Sequence, residues 1–246
     1  MYQPLTPIVN LKMKQFINNY LFLVRRLFVA ILLLSLMVGC KDKELNLPQI
    51  QSSNNKEILK YFEDVGFNEK MRLKKWETDI MVSVSGKYEK YDIQSIDDFI
   101  KVFNELSNDI KMKRVEKGGN VIITFGEDKI FNPKGYVGLC SKRGPFIFSN
   151  EITSAKILIA PILGAKQRRK TIHHEMLHAI GLDDSKNIYA NYNMLGVNKF
   201  NSIDDFENQT QEIQSSELDK WAIRILYNSD TKPGLRKDDF IKRKNI

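Results

Sequence analysis

The only three histidines of this 246-residue chain fall within six residues, at 173, 174 and 178. The segment reads His173-His174-Glu175-Met176-Leu177-His178-Ala179-Ile180-Gly181-Leu182-Asp183-Asp184. Residues four apart are neighbours on one helix face, so His174 and His178 can share a metal ion. Zinc takes imidazole nitrogen at about 2.0–2.1 Å. Glu175 follows the first candidate ligand, where its carboxylate can reach metal-bound water without ligating the metal. Zinc lowers the pKa of such water toward about 7, and a nearby carboxylate can take its proton. A third protein ligand must come from beyond the helix. Gly181 lets the chain leave through a left-handed turn and double back. Asp184 then has the reach to ligate, and by reach alone so does Asp183. His173 faces about 100° away from His174 and is expected to stand outside the site.

These groups need a scaffold. A long helix is predicted from about Arg168 to Ile180, with Lys166, Arg168, Arg169 and Lys170 leading into it as a solvated basic turn. Ahead of it, Ile58, Tyr61, Phe62 and Val65 fall at helical spacing, and Gly66 can end that helix. The alternating Ile80, Val82 and Val84 place a strand within Trp76 to Val84. Ser95-Ile-Asp-Asp98 matches a capping box for a helix carrying Ile96, Phe99, Ile100, Phe103 and Leu106 on one face. Val121–Phe125 is β-branched and reads as a strand. Tyr136–Cys140, Pro145–Phe148 and Ala155–Pro161 are three further strand candidates. Ser216-Glu-Leu-Asp219 caps a last helix with a stripe of Leu218, Trp221, Ala222, Ile225 and Leu226. This order predicts an α+β domain, layered around one mixed sheet.

The N-terminus reads as processing signal, not fold. Residues 1–39 hold four basic side chains, no acidic one, and an apolar run from Leu27 to Val38. A span needs about twenty apolar residues, so this shorter run fits a secretory signal, with Met1 or Met13 as its start. Leu36-Met37-Val38-Gly39-Cys40 resembles a bacterial lipobox, which implies cleavage before Cys40, lipidation there and membrane attachment in the cell envelope, with the outer membrane or cell surface favoured. Residues 40–54 then read as a tether and 55–246 as a single domain, with its core over about 75–230. Removing 1–39 lowers the formal charge from +8 to +4, an ordinary solvated surface that gives no case for nucleic acid. Cys140 is then left without a cysteine partner and is expected to pack as a small hydrophobe.

HEMLHAIGLDD resembles the extended zinc signature of metzincin metallopeptidases, in the aspartate form similar to small secreted snapalysin-type enzymes. The resemblance implies one catalytic Zn²⁺ on His174, His178 and Asp184, with Glu175 as general base. It further implies Met194 in a turn beneath the metal, within Asn193-Met194-Leu195, and a C-terminal helix over 216–227. It implies a strand–helix–strand run and an antiparallel edge strand before the zinc helix, one of the strands around 145–160 being the edge that pairs with extended substrate. Gly196 stands where several metzincins have tyrosine, so the resemblance leaves Tyr189 or Tyr192 to serve in its place. The function so implied is a monomeric, envelope-anchored zinc endopeptidase acting on peptide or protein. The alternative is a binding or assembly lipoprotein that keeps the fold with little turnover.

Overall fold

Three of the four sequence-predicted helices are organised by an apolar stripe that has found a partner. The computed structural model describes residues 55–67, 71–126, 137–160, 163–187, 194–195 and 216–244. The expected leader and tether, Cys40, Tyr189, Tyr192 and Gly196 lie outside them. Helix α1 (Asn55–Phe67) buries Ile58, Tyr61, Phe62 and Val65 and packs on helix α4 (Glu217–Leu226), whose inner face is Leu218, Ala222, Ile225 and Leu226. Burying each such side chain contributes roughly 1.5–3 kcal/mol.

The sheet has five strands: β1 (Ile80–Gly86), β2 (Met112–Arg114), β3 (Val121–Phe125), β4 (Gly138–Arg143) and β5 (Ser154–Ile159). Their order is β2-β1-β3-β5-β4. All neighbours are parallel except β4, which runs antiparallel to β5 with Cys140 opposite Ile157. The sheet is mixed and the domain α+β, as expected. Helix α2 (Lys90–Leu106) buries Ile96, Phe99, Ile100 and Phe103, and helix α3 (Ala165–Ala179) packs against it and against β4 and β5.

Four expectations are corrected. Helix α2 begins five residues before Ser95. Its box is built on Asp92, which accepts the Glu89 N–H at 2.7 Å, while Ser95 lies inside the helix and donates to the Tyr91 carbonyl. Pro145–Phe148 is not a strand. It is the turn joining β4 to β5, closed by Ser149 N–H donating to the Phe146 carbonyl at 3.0 Å. The sheet edge near the site is therefore β4, and β5 is interior. Finally, the basic run is not a solvated turn, because helix α3 already starts at Ala165. Arg168 is buried in an ion pair with the equally buried Asp92 and sits over the rings of Phe125 and Tyr91. Arg169 pairs with Asp98 at 3.2 Å. Acids on α2 thus hold the cationic start of α3.

Helix α5 (Lys237–Lys244) has no apolar stripe and was not foreseen. Phe240 anchors it, fully buried 5.2 and 5.3 Å from the rings of Phe62 and Phe67, and Lys237 N–H donates to the Met71 carbonyl at 3.0 Å.

Candidate metal centre

Helix α3 must end abruptly for the chain behind it to return. Gly181 has φ +118°, and a Cβ there would meet the Lys74 carbonyl oxygen at 2.1 Å. Only glycine satisfies both the conformation and the space. The helix end is held from outside. Trp76 Nε1–H donates to the Ala179 carbonyl at 2.9 Å and the Tyr227 hydroxyl to the Ile180 carbonyl at 2.7 Å, satisfying terminal acceptors that a helix leaves open.

The returning segment is pinned on both sides of Asp184. Asp183 N–H donates to the Val65 carbonyl at 2.8 Å. Ser185 N–H donates to the Leu195 carbonyl at 2.7 Å, and its hydroxyl to Asp64 at 2.5 Å. Between these anchors, Asp184 Oδ1 comes to 3.4 Å from both His174 Nε2 and His178 Nε2. The neighbouring Asp183 is engaged elsewhere, its Oδ1 accepting from Lys142 Nζ at 3.1 Å. Reach left the two aspartates open; the structure brings Asp184 to the histidines.

The two imidazoles are oriented by carbonyls. His174 Nδ1 lies 2.9 Å from the Met194 carbonyl, and His178 Nδ1 2.9 Å from the Leu182 carbonyl. A carbonyl only accepts, so each Nδ1 carries the hydrogen and each ring turns its Nε2 toward the other; at His178, against burial, the Asp184 hydrogen bond and the Glu175 charge raise the pKa. Those Nε2 atoms are 3.0 Å apart. Two ring nitrogens and a carboxylate oxygen converge, all within 4.8 Å of one another. Burial, and then His178, lowers the His174 pKa to about 4, which keeps that ring neutral. Nitrogen and oxygen donors in this number suit zinc, and backbone partners on the far ring nitrogens are the usual support for histidine ligands.

Glu175 is 6% exposed and burial pushes its carboxyl up to about 7. It lies against the start of β4: a Cβ on Gly138 would stand 2.6 Å from Glu175 Oε1 and 2.5 Å from Thr171 Cγ2. His173 turns the other way. Its Nε2–H donates to the Ser95 carbonyl at 3.0 Å and its ring meets Phe99 edge-on, so it belongs to the α2–α3 interface. Cys140 is half-buried with its thiol pushed up to about 12 by burial, a packing residue rather than a nucleophile.

Met194 is buried, and its placement depends on residues that sequence reasoning missed. Its N–H donates to Asp219 Oδ2 at 2.8 Å. Asp219, fully buried, also accepts from Tyr61 (2.6 Å), Ser216 N–H and the Ser216 hydroxyl. Only the Ser216–Asp219 capping box was visible in the sequence. Its link to Tyr61 spans 158 positions and left no local signal.

A helix-borne histidine pair, an adjacent buried glutamate and a returning aspartate define an α+β domain with a candidate His-His-Asp metal centre. The chain belongs to the family described as "Protein of unknown function (DUF2927)", whose model matches residues 55–243. No curated protein matches it. Among solved structures it is similar to myroilysin, with 13% identity over 63% of this chain and 83% of that one and a TM-score of 0.39. It is also similar to high choriolytic enzyme 1, a hatching enzyme zinc-protease from the medaka fish Oryzias latipes, with 13% identity over 63% and 94% of the two chains and a TM-score of 0.38.

Proposed function

We propose that this chain is a zinc-dependent endopeptidase of metzincin type, anchored to a bacterial envelope membrane through lipidated Cys40. The observation that carries the peptidase reading is the convergence of His174 Nε2, His178 Nε2 and Asp184 Oδ1 at 3.0–3.4 Å beside the buried Glu175. Zinc held by those three atoms would polarise a scissile carbonyl and acidify water. Glu175 takes the proton of the attacking water and returns it to the leaving amine, work suited to a carboxylate with a pKa near neutrality. The Met194 and Leu182 carbonyls keep both rings in the tautomer whose Nε2 can ligate. β4, the one of the two terminal strands among the described residues that packs against α3, offers its outer edge to an extended peptide. Lys142 on that strand holds Asp183 away from the ligand set.

The test is metal analysis with a peptide-library digest of the full chain, run beside Glu175→Ala. Peptidase function predicts about one zinc per chain in both proteins and cleavage by the parent alone. Zinc in both with cleavage by neither would assign a binding role instead. Equal cleavage by both would reject Glu175 as the base. Anchoring is read separately: Cys40→Ser should move the protein out of the membrane fraction or leave it unprocessed, and an unchanged fraction rejects lipidation.

A further inference from the structure

The turn joining β4 to β5 carries Phe146, Ile147 and Phe148 at 78, 93 and 94% exposure. No other large apolar side chain among the described residues exceeds 49%. A patch of this kind marks an interaction surface. The turn is built to hold it outward. A Cβ on Gly144 would stand 2.4 Å from the Glu151 carbonyl oxygen, Ser149 N–H closes onto the Phe146 carbonyl, and Glu151 N–H donates to the Ser149 hydroxyl at 3.1 Å. Pro145 fixes the backbone entering the apolar triplet.

Two features choose the occupant. Successive side chains in a turn splay in different directions, so a flat protein face covers one or two of them, whereas fluid acyl chains can surround all three. The tip also shares its concavity with Lys74, Lys142 and Arg143. Within 142–151 the one acid is Glu151, at the far end. Aromatic residues above a cationic base match the two layers of an anionic membrane: rings at the acyl boundary, cations at the headgroups.

We propose that residues 145–148 form an insertion tip that docks the domain on an anionic lipid surface, with Lys74 and Arg143 at its headgroup level. This contact rests neither on the metal centre nor on Cys40. It gives the domain a membrane contact of its own.

The experiment uses the full chain carrying Ile147→Trp, with vesicles of phosphatidylcholine alone or mixed with phosphatidylglycerol, and lipids brominated near the headgroup end of the acyl chain. In anionic vesicles the added indole should shift to shorter wavelength and lose about half its emission, since interfacial apolar groups lie ~5–10 Å into the acyl boundary. The parent, with only Trp76 and Trp221, provides the background. Adding Lys74→Glu and Arg143→Glu should cut the quenching at least about threefold, because each cation near such a surface is worth roughly a fivefold change in affinity. Quenching no greater than the parent's in vesicle-bound protein overturns the proposal, as does a chain that stays off anionic vesicles altogether. Self-association abolished by Phe146→Ser, Ile147→Ser and Phe148→Ser together, without quenching, assigns the tip to a second copy and also overturns it.

Discussion

His174 Nε2 and His178 Nε2 face each other at 3.0 Å while both Nδ1 atoms are committed to backbone carbonyls. The Asp184 carboxylate oxygen lies 3.4 Å from each of these nitrogens, so three potential metal donors share one small volume. A metal cation can be shared by all three. Zinc should therefore stabilise the fold by mass action, by about 4 kcal/mol when present at a thousand times its dissociation constant. Thermal melts with zinc and with a chelator should differ by several degrees for the parent. The difference should vanish in His174→Ala and His178→Ala.

Asp184 and Asp183 should separate cleanly by metal affinity. Asp184→Ala removes a candidate ligand atom, so zinc affinity should fall by more than the roughly 10–100-fold typical of lost supporting groups. Asp183→Ala removes a partly exposed ion pair with Lys142, whose contribution to stability is about 1 kcal/mol or less, and should leave zinc affinity nearly intact. Competition with a chromogenic chelator gives both constants. The reverse ranking would move the third ligand to Asp183.

Asp219 touches no candidate ligand yet holds Met194, whose carbonyl orients His174. Asp219→Ala should cost about 3–5 kcal/mol in a urea melt, because a buried network loses its centre. Zinc affinity should drop about 10–100-fold with it. Asp219→Asn retains an oxygen for Met194 and Ser216 and should recover most of the affinity; equal loss in both variants would rule out the positioning role.

Lys75 gives a pH dependence independent of the metal. It is buried, donates to the Thr231 carbonyl at 2.8 Å, and lies 5.2 Å from the Tyr227 ring centroid. Burial lowers its pKa from 10.5 to about 8, with Lys232 adding to that shift and Asp109 and Glu77 opposing it. Between those values the unfolded chain binds the proton and the folded chain does not, so stability rises with pH across the window. The contribution is full above about 10.5 and is lost as pH falls through 8. The gain should reach roughly 3 kcal/mol at most, read as the difference between urea midpoints of the parent and Lys75→Met at pH 7.5 and 10. A constant difference would place the Lys75 charge in solvent.

What could be read from the chain alone was whatever is periodic and local. The stripes of α1, α2 and α4 and the four-residue spacing of His174 and His178 are of that kind. Two local patterns misled. Ser95-Ile-Asp-Asp98 has the composition of a capping box, but Asp92 already caps the helix at Glu89. Phe146-Ile147-Phe148 has the composition of a strand, but Gly144 and Ser149 fold it into a turn. The cations of α3 could not be placed because their acids lie more than seventy positions away, Arg168 on Asp92 and Arg169 on Asp98. Tyr61, Asp64 and Leu195 support the site only through pairings of that long-range sort or through the returning loop itself.

Gly138 sets the room available to the Glu175 side chain. The space a side chain would need there is already filled by the Glu175 carboxylate and the Thr171 methyl. Positions 138 and 175 are thus rivals for one volume, although they are far apart in sequence. Even a methyl group at 138 would require the Glu175 and Thr171 side chains, or the edge strand, to shift. Glycine at 138 is therefore what leaves the Glu175 carboxylate the room it occupies.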